Sequence, residues 1–485
     1  MASSPSLLSP VPVPSQDDLQ GWKTADASLD RASQKGLSYY LALLFLAVYY
    51  IRPQDWVPGM AGVNIVRPIM LVWFVVVLVQ GSRSPIPGWF RTPHDWVMLS
   101  FFVYVAWTSP PIAGATSGMF SLVVFFFLTV QALSTWNHVL GYLKAWNLFL
   151  ICIAILGTLQ SLGLDITGGQ SKTDFFVGRL SLGTWLTNNP NALAHTIVPA
   201  IPLSYLLYFW RGSATGRFII FPACLALVGY CTWLTASRGA FLVGAGVTAM
   251  LFIVGRPKWV QILVITLVLS LGVGALSFLP RMEQMGDLRS DEGVMGRLMA
   301  WEMARTAMDQ NTFGVGWKQF IALIDWKEGS KWIYDIPKAT HSSYVQVGAD
   351  LGRYGLFIWL LGLWTALRTT LFFKPQSETE ERCRRAGLLL LIAYLASGWM
   401  VNRQYHTEYF LMIAVAAAIH RLAVARTSMT TPPSPAEVPS PSPSAPPALN
   451  STPRFWKRLG WLDLAATAAI TWSVLALWDY ILKNL

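Results

Sequence analysis

The residues best suited to chemistry lie in one run of the second half of the chain. His341 is followed by Ser342 and then by three spaced glycines, Gly348, Gly352 and Gly355. If the run is helical, at about 100° per residue, the histidine and the glycines share one face, which a neighbouring helix can approach closely. An imidazole titrates near neutrality and suits a general base. The pattern predicts a histidine over a tightly packed groove, although plain helix packing around a structural histidine explains it too.

Three arginines could bind an anion. Arg238 lies at a tight turn between two apolar runs, and its planar fork of donors suits phosphate oxygens. Arg179 lies in an earlier loop, and Arg297 shares one side of an amphipathic stretch with Trp301 and Arg305. Each arginine also has a simpler interpretation. Arg238 could snorkel to lipid headgroups, Arg179 could be a solvated loop charge, and Arg297 could belong to a helix that lies on lipid.

A helix start is predicted at Asn188-Asn189-Pro190-Asn191, where an asparagine can cap and a proline suits the first helical position. Capping explains this motif adequately. His195, one turn into the same segment, is expected to be a satisfied core histidine.

The composition is that of a membrane protein. The 485 residues are 54% hydrophobic and 13% charged, and the 23 tryptophans and 16 tyrosines fit interfacial anchors. The net charge of +11 falls in short loops between apolar runs, so nucleic-acid binding is not expected. Four cysteines without a CxxC pair indicate neither a disulfide framework nor a zinc site. We therefore predict an all-α polytopic membrane protein.

Apolar runs predict about twelve transmembrane helices, each long enough for about 30 Å of hydrocarbon. A thirteenth at the C-terminus is open, with an interfacial helix as the alternative. The runs lie near residues 37–51, 62–80, 95–108, 113–134, 141–163, 191–210, 218–235, 239–255, 259–279, 351–373, 386–401 and 408–423. The predicted organisation is a cytoplasmic tail (1–36), nine spans (37–279), a large outer loop (280–345), three spans (346–426), a disordered Pro/Ser-rich linker (427–453) and an apolar helix (454–485).

Positive residues predict the orientation. With the N-terminus inside, the basic pairs and clusters at 83 and 91, 211 and 217, 256 and 258, 374–385, and 421 and 426 are all cytoplasmic. The same alternation puts residues 164–190, the turn at Arg238, residues 280–345 and residues 402–408 outside. The candidate chemistry is therefore expected on the extracytoplasmic side.

Over roughly residues 175–425 the chain resembles the O-antigen ligase family, bacterial inner-membrane glycosyltransferases related to O-antigen polymerases and protein O-oligosaccharyltransferases. The resemblance rests on the helix start Asn188–Ala194, the turn Ser237–Ala240, the segments Gly296–Trp301 and Gly314–Phe320, and His341-Ser342 followed after nine residues by Gly352-Arg353-Tyr354-Gly355. The Pro/Ser-rich linker and the last apolar helix lie outside this resemblance, and no role follows for them.

The resemblance implies a GT-C-like ligase architecture in the inner membrane, with a large periplasmic loop and the active site facing the periplasm. It implies that Arg238 and Arg297 bind the diphosphate of an undecaprenyl-linked glycan donor, with Arg179 as a further counterpart. His341 would take the proton of the acceptor hydroxyl as this attacks the anomeric carbon with inversion. Neither a metal nor any other cofactor is implied.

The supporting residues implied are Ser342, Gly352 and Gly355. The acceptor, lipid A-core or a similar lipid or glycan, is open, because polymerases and protein-glycosylating relatives share this chemistry. The alternative from another class is a transporter of polysaccharide or lipid-linked glycan. Such transporters usually bury carboxylates within spans, and the spans predicted between about residues 97 and 370 hold essentially no Asp or Glu.

Overall fold

The computed structural model describes residues 36–60, 62–81, 89–110, 112–165, 175–176, 178–184, 186–253, 257–263, 265–266, 292–328, 331–429 and 458–484. This part of the chain is mostly helical, as predicted. The predicted ninth span lies for the most part outside the described residues. So do the predicted N-terminal tail and nearly all of the Pro/Ser-rich linker.

The helices are labelled in chain order. They are α1 Leu37–Ile51, α2 Val66–Gly81, α3 Pro93–Thr108, α4 Ile112–Ala132, α5 Trp136–Ser161, α6 Pro190–Ile197, α7 Phe221–Leu234, α8 Arg238–Ile253, α9 Glu292–Gln310, α10 Ser343–Phe372, α11 Glu378–Ser397, α12 Thr407–Met429 and α13 Trp461–Asn484. Shorter helical pieces are Pro53–Trp56, Ala200–Ser204 and the π-helical turns Tyr205–Phe209 and Gly216–Ile220. Two antiparallel strand pairs are β1 Phe175–Phe176 with β2 Arg179–Leu180, and β3 Ala322–Glu328 with β4 Lys331–Lys338.

Within the described residues, seven helices are long and apolar enough to cross a membrane. They are Ala113–Ala132, Trp136–Ser161, Pro190–Phe209, Gly216–Leu234, Ser343–Phe372, Thr407–Arg426 and Trp461–Asn484. Val66–Val79 and Arg238–Leu251 are shorter apolar helices. The polytopic class is therefore confirmed, while the count of about twelve spans stays a prediction. The tenth span is predicted at residues 351–373, but the helix starts at Ser343, about two turns earlier.

The centre of the bundle is α12, whose residues from 409 to 419 are all buried. Its alanines at 414 and 416–418 let α4 and α10 pack closely, as small residues do between membrane helices. Tyr409 joins α12 to α10, since its hydroxyl donates to the carbonyl oxygen of Trp359 at 2.8 Å and the two rings stack. This contact anchors α10, the helix that follows His341.

Helix α10 is broken at Gly352, which has φ +67° and ψ −173°. A Cβ atom at this position would overlap the carbonyl oxygen of Thr312 and stand 2.7 Å from the amide nitrogen of Gly314. Only glycine combines this positive φ with so close an approach of a second backbone. The segment that contains Gly314 therefore lies in the notch of the broken helix.

Carbonyl groups freed by this break find new donors, as buried backbone groups must. Val315 N donates to Ala349 O at 3.1 Å, Gly316 N to Asp350 O at 2.8 Å, and the Tyr104 hydroxyl to Leu351 O at 2.7 Å. The glycine-valine-glycine segment and the glycines after His341, two motifs that are separate in sequence, thus interlock in the fold.

The prediction of a packed groove beneath His341 is wrong. His341 precedes α10, whose N-cap is Ser342, so it does not share a helical face with the glycines. The glycines also meet different neighbours, because Gly348 faces Trp478, Gly352 faces the segment at Gly314, and Gly355 faces Tyr104. The break in the helix explains the difference.

The described part of the predicted outer loop contains α9 and the β3–β4 hairpin. Trp301, Ala304 and Met308 of α9 are buried in a cluster with residues of α10 and α13. The expectation that α9 lies along lipid is therefore wrong for this face, which packs on protein. The hairpin pairs Ala322 with Lys338 and so returns the chain to α9, just before His341.

Candidate functional site

His341 lies in a short loop held from three directions. Trp301 of α9 donates its indole N–H to the carbonyl oxygen of Thr340 at 2.7 Å. The Thr340 hydroxyl lies 3.0 Å from the side-chain oxygens of Gln346 and of Asn402. His341 itself has φ +49°, a left-handed conformation that non-glycine residues rarely adopt. Such strain persists only where the surroundings enforce it, and here they do.

The residues after His341 extend this support. Ser342 caps α10 by accepting a hydrogen bond from Val345 N. Ser343 N donates to Gly398 O at 2.6 Å, and its hydroxyl donates to Val401 O at 2.8 Å. The loop between α11 and α12 thus fixes the start of α10 and the position of the imidazole.

Three cations act on His341. Burial, followed in order of size by the charges of Arg297, Lys338 and Arg179, lowers the pKa of His341 to about 4. The imidazole is therefore neutral near pH 7, with a free lone pair, among positive charges that an anion could neutralise. The structure brings together three residues that the sequence proposed, His341, Arg297 and Arg179, and adds Lys338.

Lys338 reaches this cluster because its side chain lies across Gly296 of α9. A Cβ atom at Gly296 would stand 2.6 Å from Lys338 Cε and 3.5 Å from its ammonium nitrogen. The glycine therefore makes room for a lysine directly beside Arg297. Sequence reasoning missed Lys338, since only the pairing of β3 with β4 places it there.

Arg179 is held by two contacts. Its Nε donates to Thr235 O at 2.8 Å, and its Nη2 donates to the side-chain oxygen of Asn191 at 2.8 Å. Asn189 caps α6 and Pro190 takes its first position, as predicted, so Asn191 sits in the first turn and faces the arginine. The asparagine motif thus both starts a helix and orients Arg179.

Arg238 begins α8 after a turn in which Ala236 has φ +48° and Ser237 is buried. Arg179 binds the carbonyl oxygen of Thr235, three residues before Arg238, and Gly239 packs on Met400 of the loop before α12. Arg238 is half-buried. Its proposed contact with diphosphate stays a prediction.

A buried network behind the loop was missed by sequence reasoning. Gln346 Nε2 donates to Phe320 O at 3.0 Å, and Asp350 Oδ1 accepts from Phe320 N at 2.9 Å. Asp350 is buried within α10, so the expectation that spans up to about residue 370 lack acidic residues is wrong at this position. Its hydrogen bonds give it a structural role that ties the segment 314–320 to α10.

His195, by contrast, is a satisfied core histidine, as predicted. Its Nδ1 lies 3.0 Å from the hydroxyl of Ser397 and the side chain is buried. Among the residues that the structure describes, no group of three or more His, Cys, Asp and Glu side chains could hold a metal ion.

The fold and the cation-lined loop define a multi-pass membrane protein with a candidate anion site at one end of its helices. Residues 223–360 match the family model described as O-antigen ligase, which confirms the resemblance seen in the sequence. This match supports the O-antigen ligase family, whose members are glycosyltransferase-type enzymes that act on lipid-linked glycans. The matched segment contains Arg238, Arg297 and His341, while Arg179 lies before it. A search of curated proteins found no match to the chain.

Proposed function

We propose that this protein transfers a glycan from undecaprenyl diphosphate to an acceptor hydroxyl on the extracytoplasmic face of the bacterial inner membrane. His341 is the general base, and Arg297, Arg238 and Arg179 bind the diphosphate. The observation that carries the proposal is a neutral imidazole held among Arg297, Lys338 and Arg179 in one braced loop.

In the reaction, the imidazole takes the proton of the acceptor hydroxyl while the oxygen attacks the anomeric carbon. The new glycosidic bond forms as the bond between that carbon and the diphosphate oxygen breaks. Undecaprenyl diphosphate leaves with one more negative charge, which the cations stabilise without any reorganisation. Lys338 adds to this stabilisation as a point charge, whereas the arginines can bind two oxygens at once.

The distribution of charge supports the proposed orientation. Helix α10 begins beside His341, and at its other end lie Lys374 of the loop before α11 and the arginines at 382, 384 and 385 in the first turns of α11. Loops rich in positive residues stay in the cytoplasm, so the opposite end of α10 faces the periplasm. The large loop at residues 280–345 is then periplasmic.

The acceptor separates the ligase from its relatives. The ligase reaction, to lipid A-core or a similar acceptor, is the proposed one, and polymerase or protein-glycosylating activity is the alternative within the same chemistry. Cells that lack the protein should accumulate long chains on the lipid carrier if it is a ligase and single repeat units if it is a polymerase. A transporter is disfavoured because the buried Asp350 is held by local hydrogen bonds.

Reconstitution tests the proposal. Purified protein in liposomes with an undecaprenyl diphosphate-linked glycan and candidate acceptors should release undecaprenyl diphosphate and form the glycosylated acceptor. Arg297→Lys and Arg238→Lys should impair transfer, because an ammonium cannot reproduce the forked contact. Arg91→Lys, at the opposite end of the bundle, is the matched control and should leave it unchanged. Glycan movement across the membrane without any bond cleavage would instead show transport.

A further inference from the structure

The C-terminal helix α13 lies along α10 in the antiparallel direction. Near its start, Asp463 pairs with Arg368 near the end of α10, and near its end Trp478 packs on Gly348 near the start of α10. The helix thus reaches from one end of the bundle to the end that carries His341. It lies outside the segment that matches the family, residues 223–360.

The start of α13 is held to α10 by a buried ion pair. The side chains of Arg368 and Asp463 are 1% and 4% exposed, and the indole N–H of Trp364 donates to the other carboxylate oxygen at 3.1 Å. Asp463 also accepts from Gly460 N at 2.9 Å and so caps its own helix. A charge buried in this way is stable only with its partner, so the pair fixes where α13 begins.

The last turns of α13 contact both α9 and α10. Trp478 is fully buried, and a Cβ atom at Gly348 of α10 would stand 3.0 Å from its ring and 3.2 Å from the sulfur of Met308 on α9. Asp479 accepts from Arg305 of α9, whose Nε lies 2.6 Å and whose Nη2 lies 3.3 Å from the two carboxylate oxygens. The end of α13 therefore packs against α9 and α10 together.

These two helices carry the parts of the proposed site. Helix α9 bears Arg297 and also Trp301, which binds the carbonyl oxygen of Thr340, while α10 follows directly after His341. Trp301 and Trp478 belong to the same buried cluster. Any change in the spacing of α9 and α10 would change the spacing between the base and the diphosphate-binding arginine.

We infer that α13 is a positioning element for transfer, in which Trp478 and Asp479 set the distance between Arg297 and His341. This inference rests on the proposed function. Neither residue touches the substrate; both act through α9 and α10.

Two tryptophans of α13 provide a matched test in the full-length, reconstituted protein. Trp478→Ala should lower kcat for glycan transfer on the order of 100-fold, as small misplacements of reacting groups do, with a smaller change in the KM for the donor. Trp478→Phe should recover most of the loss. Trp472, which is 72% exposed on the same helix, is the control, and Trp472→Ala should leave kcat unchanged.

The pH profile separates positioning from general damage to the fold. In Trp478→Ala, Arg297 moves away from the imidazole, so the acidic limb of the kcat/KM profile should shift upward from its wild-type position. Asp479→Lys, which faces Arg305 with a like charge, should shift it in the same direction. If Trp478→Ala does not accumulate in the membrane, Asp479→Lys carries the same expectation.

An unchanged kcat and pH profile in Trp478→Ala and Asp479→Lys would overturn the inference, and so would an equal loss in Trp472→Ala. A transfer-inactive His341→Ala together with a fully active Trp478→Ala would refute this inference alone. An active His341→Ala would refute the proposed base itself, so the two failures are distinguishable.

Discussion

The side chain of Lys338 lies across Gly296, close enough that a Cβ atom there would stand 2.6 Å from Lys338 Cε. Replacing glycine by alanine inside a helix normally stabilises the helix by about 1 kcal/mol, so Gly296→Ala should not destabilise the protein. It should, however, push the lysine away from Arg297. We expect an unchanged melting temperature but a donor KM that rises roughly fivefold, equivalent to about 1 kcal/mol for one displaced cation.

Lys338→Ala is the companion variant for this prediction. It should raise the donor KM by a similar amount, and the double variant should show no further loss, because both changes remove the same ammonium. Independent and additive losses in transfer assays would show that Gly296 acts in another way.

The neutral state of His341 predicts the pH dependence of transfer. Burial and the charges of Arg297, Lys338 and Arg179 lower its pKa to about 4, so the base form persists well below neutrality and is lost as the pH falls through about 4. The profile of kcat/KM, which reports the free enzyme, should therefore have its acidic limb near that value.

Donor binding should move this limb. A bound diphosphate offsets the cations, so the pKa of His341 in the complex rises and the acidic limb of kcat should lie at higher pH than that of kcat/KM. Arg297→Gln should also move the acidic limb of the kcat/KM profile to higher pH. Identical limbs in both profiles and in the variant would mean that these charges do not act on the catalytic group.

The break in α10 predicts an unequal response of two glycines. At Gly352, alanine meets both a positive φ and the backbone of Thr312 and Gly314, so Gly352→Ala should destabilise the protein by about 3 kcal/mol or more. Gly246 of α8 has open space within 4 Å, and Gly246→Ala should be neutral or stabilising by about 0.5 to 1 kcal/mol. Thermal unfolding followed by size-exclusion chromatography in detergent would measure both.

The course of α13 predicts the location of the C-terminus. Because this helix runs antiparallel to α10 from Asp463 to Trp478, its last residues lie at the His341 end of the bundle. A protease-cleavable tag placed after Leu485 should be accessible from the periplasm in intact spheroplasts. A tag placed in the linker between α12 and α13 should be protected. The reverse pattern would contradict the proposed orientation.

Local features of the sequence predicted several parts of the fold and site. The apolar runs indicate the helices, Asn189 and Pro190 start α6 as expected, and the core role of His195 is confirmed. These features depend on residues a few positions apart, where capping and hydrophobic periodicity act. The residue types of the proposed site, a histidine with arginines, were recognisable for the same reason.

Features that depend on distant segments were not predictable. Which of the spaced glycines breaks α10 is decided by the approach of Gly314, and Lys338 joins the cluster only through the register of the hairpin. The partners of Asp463 and Asp479 lie on helices about 95 and 174 residues away in the sequence. A single sequence offers no local signal for such pairings, and the acidic residues near the ends of α13 were the one available hint.

In the proposed reaction, His341 is the base for glycan transfer while the cations bind the donor. The most direct test compares donor binding and transfer in purified, reconstituted His341→Ala, with His138→Ala as the control histidine. We expect His341→Ala to bind undecaprenyl diphosphate-linked glycan about as tightly as the wild type but to form no glycosylated acceptor, and His138→Ala to do both. Transfer by His341→Ala at the wild-type rate would contradict it.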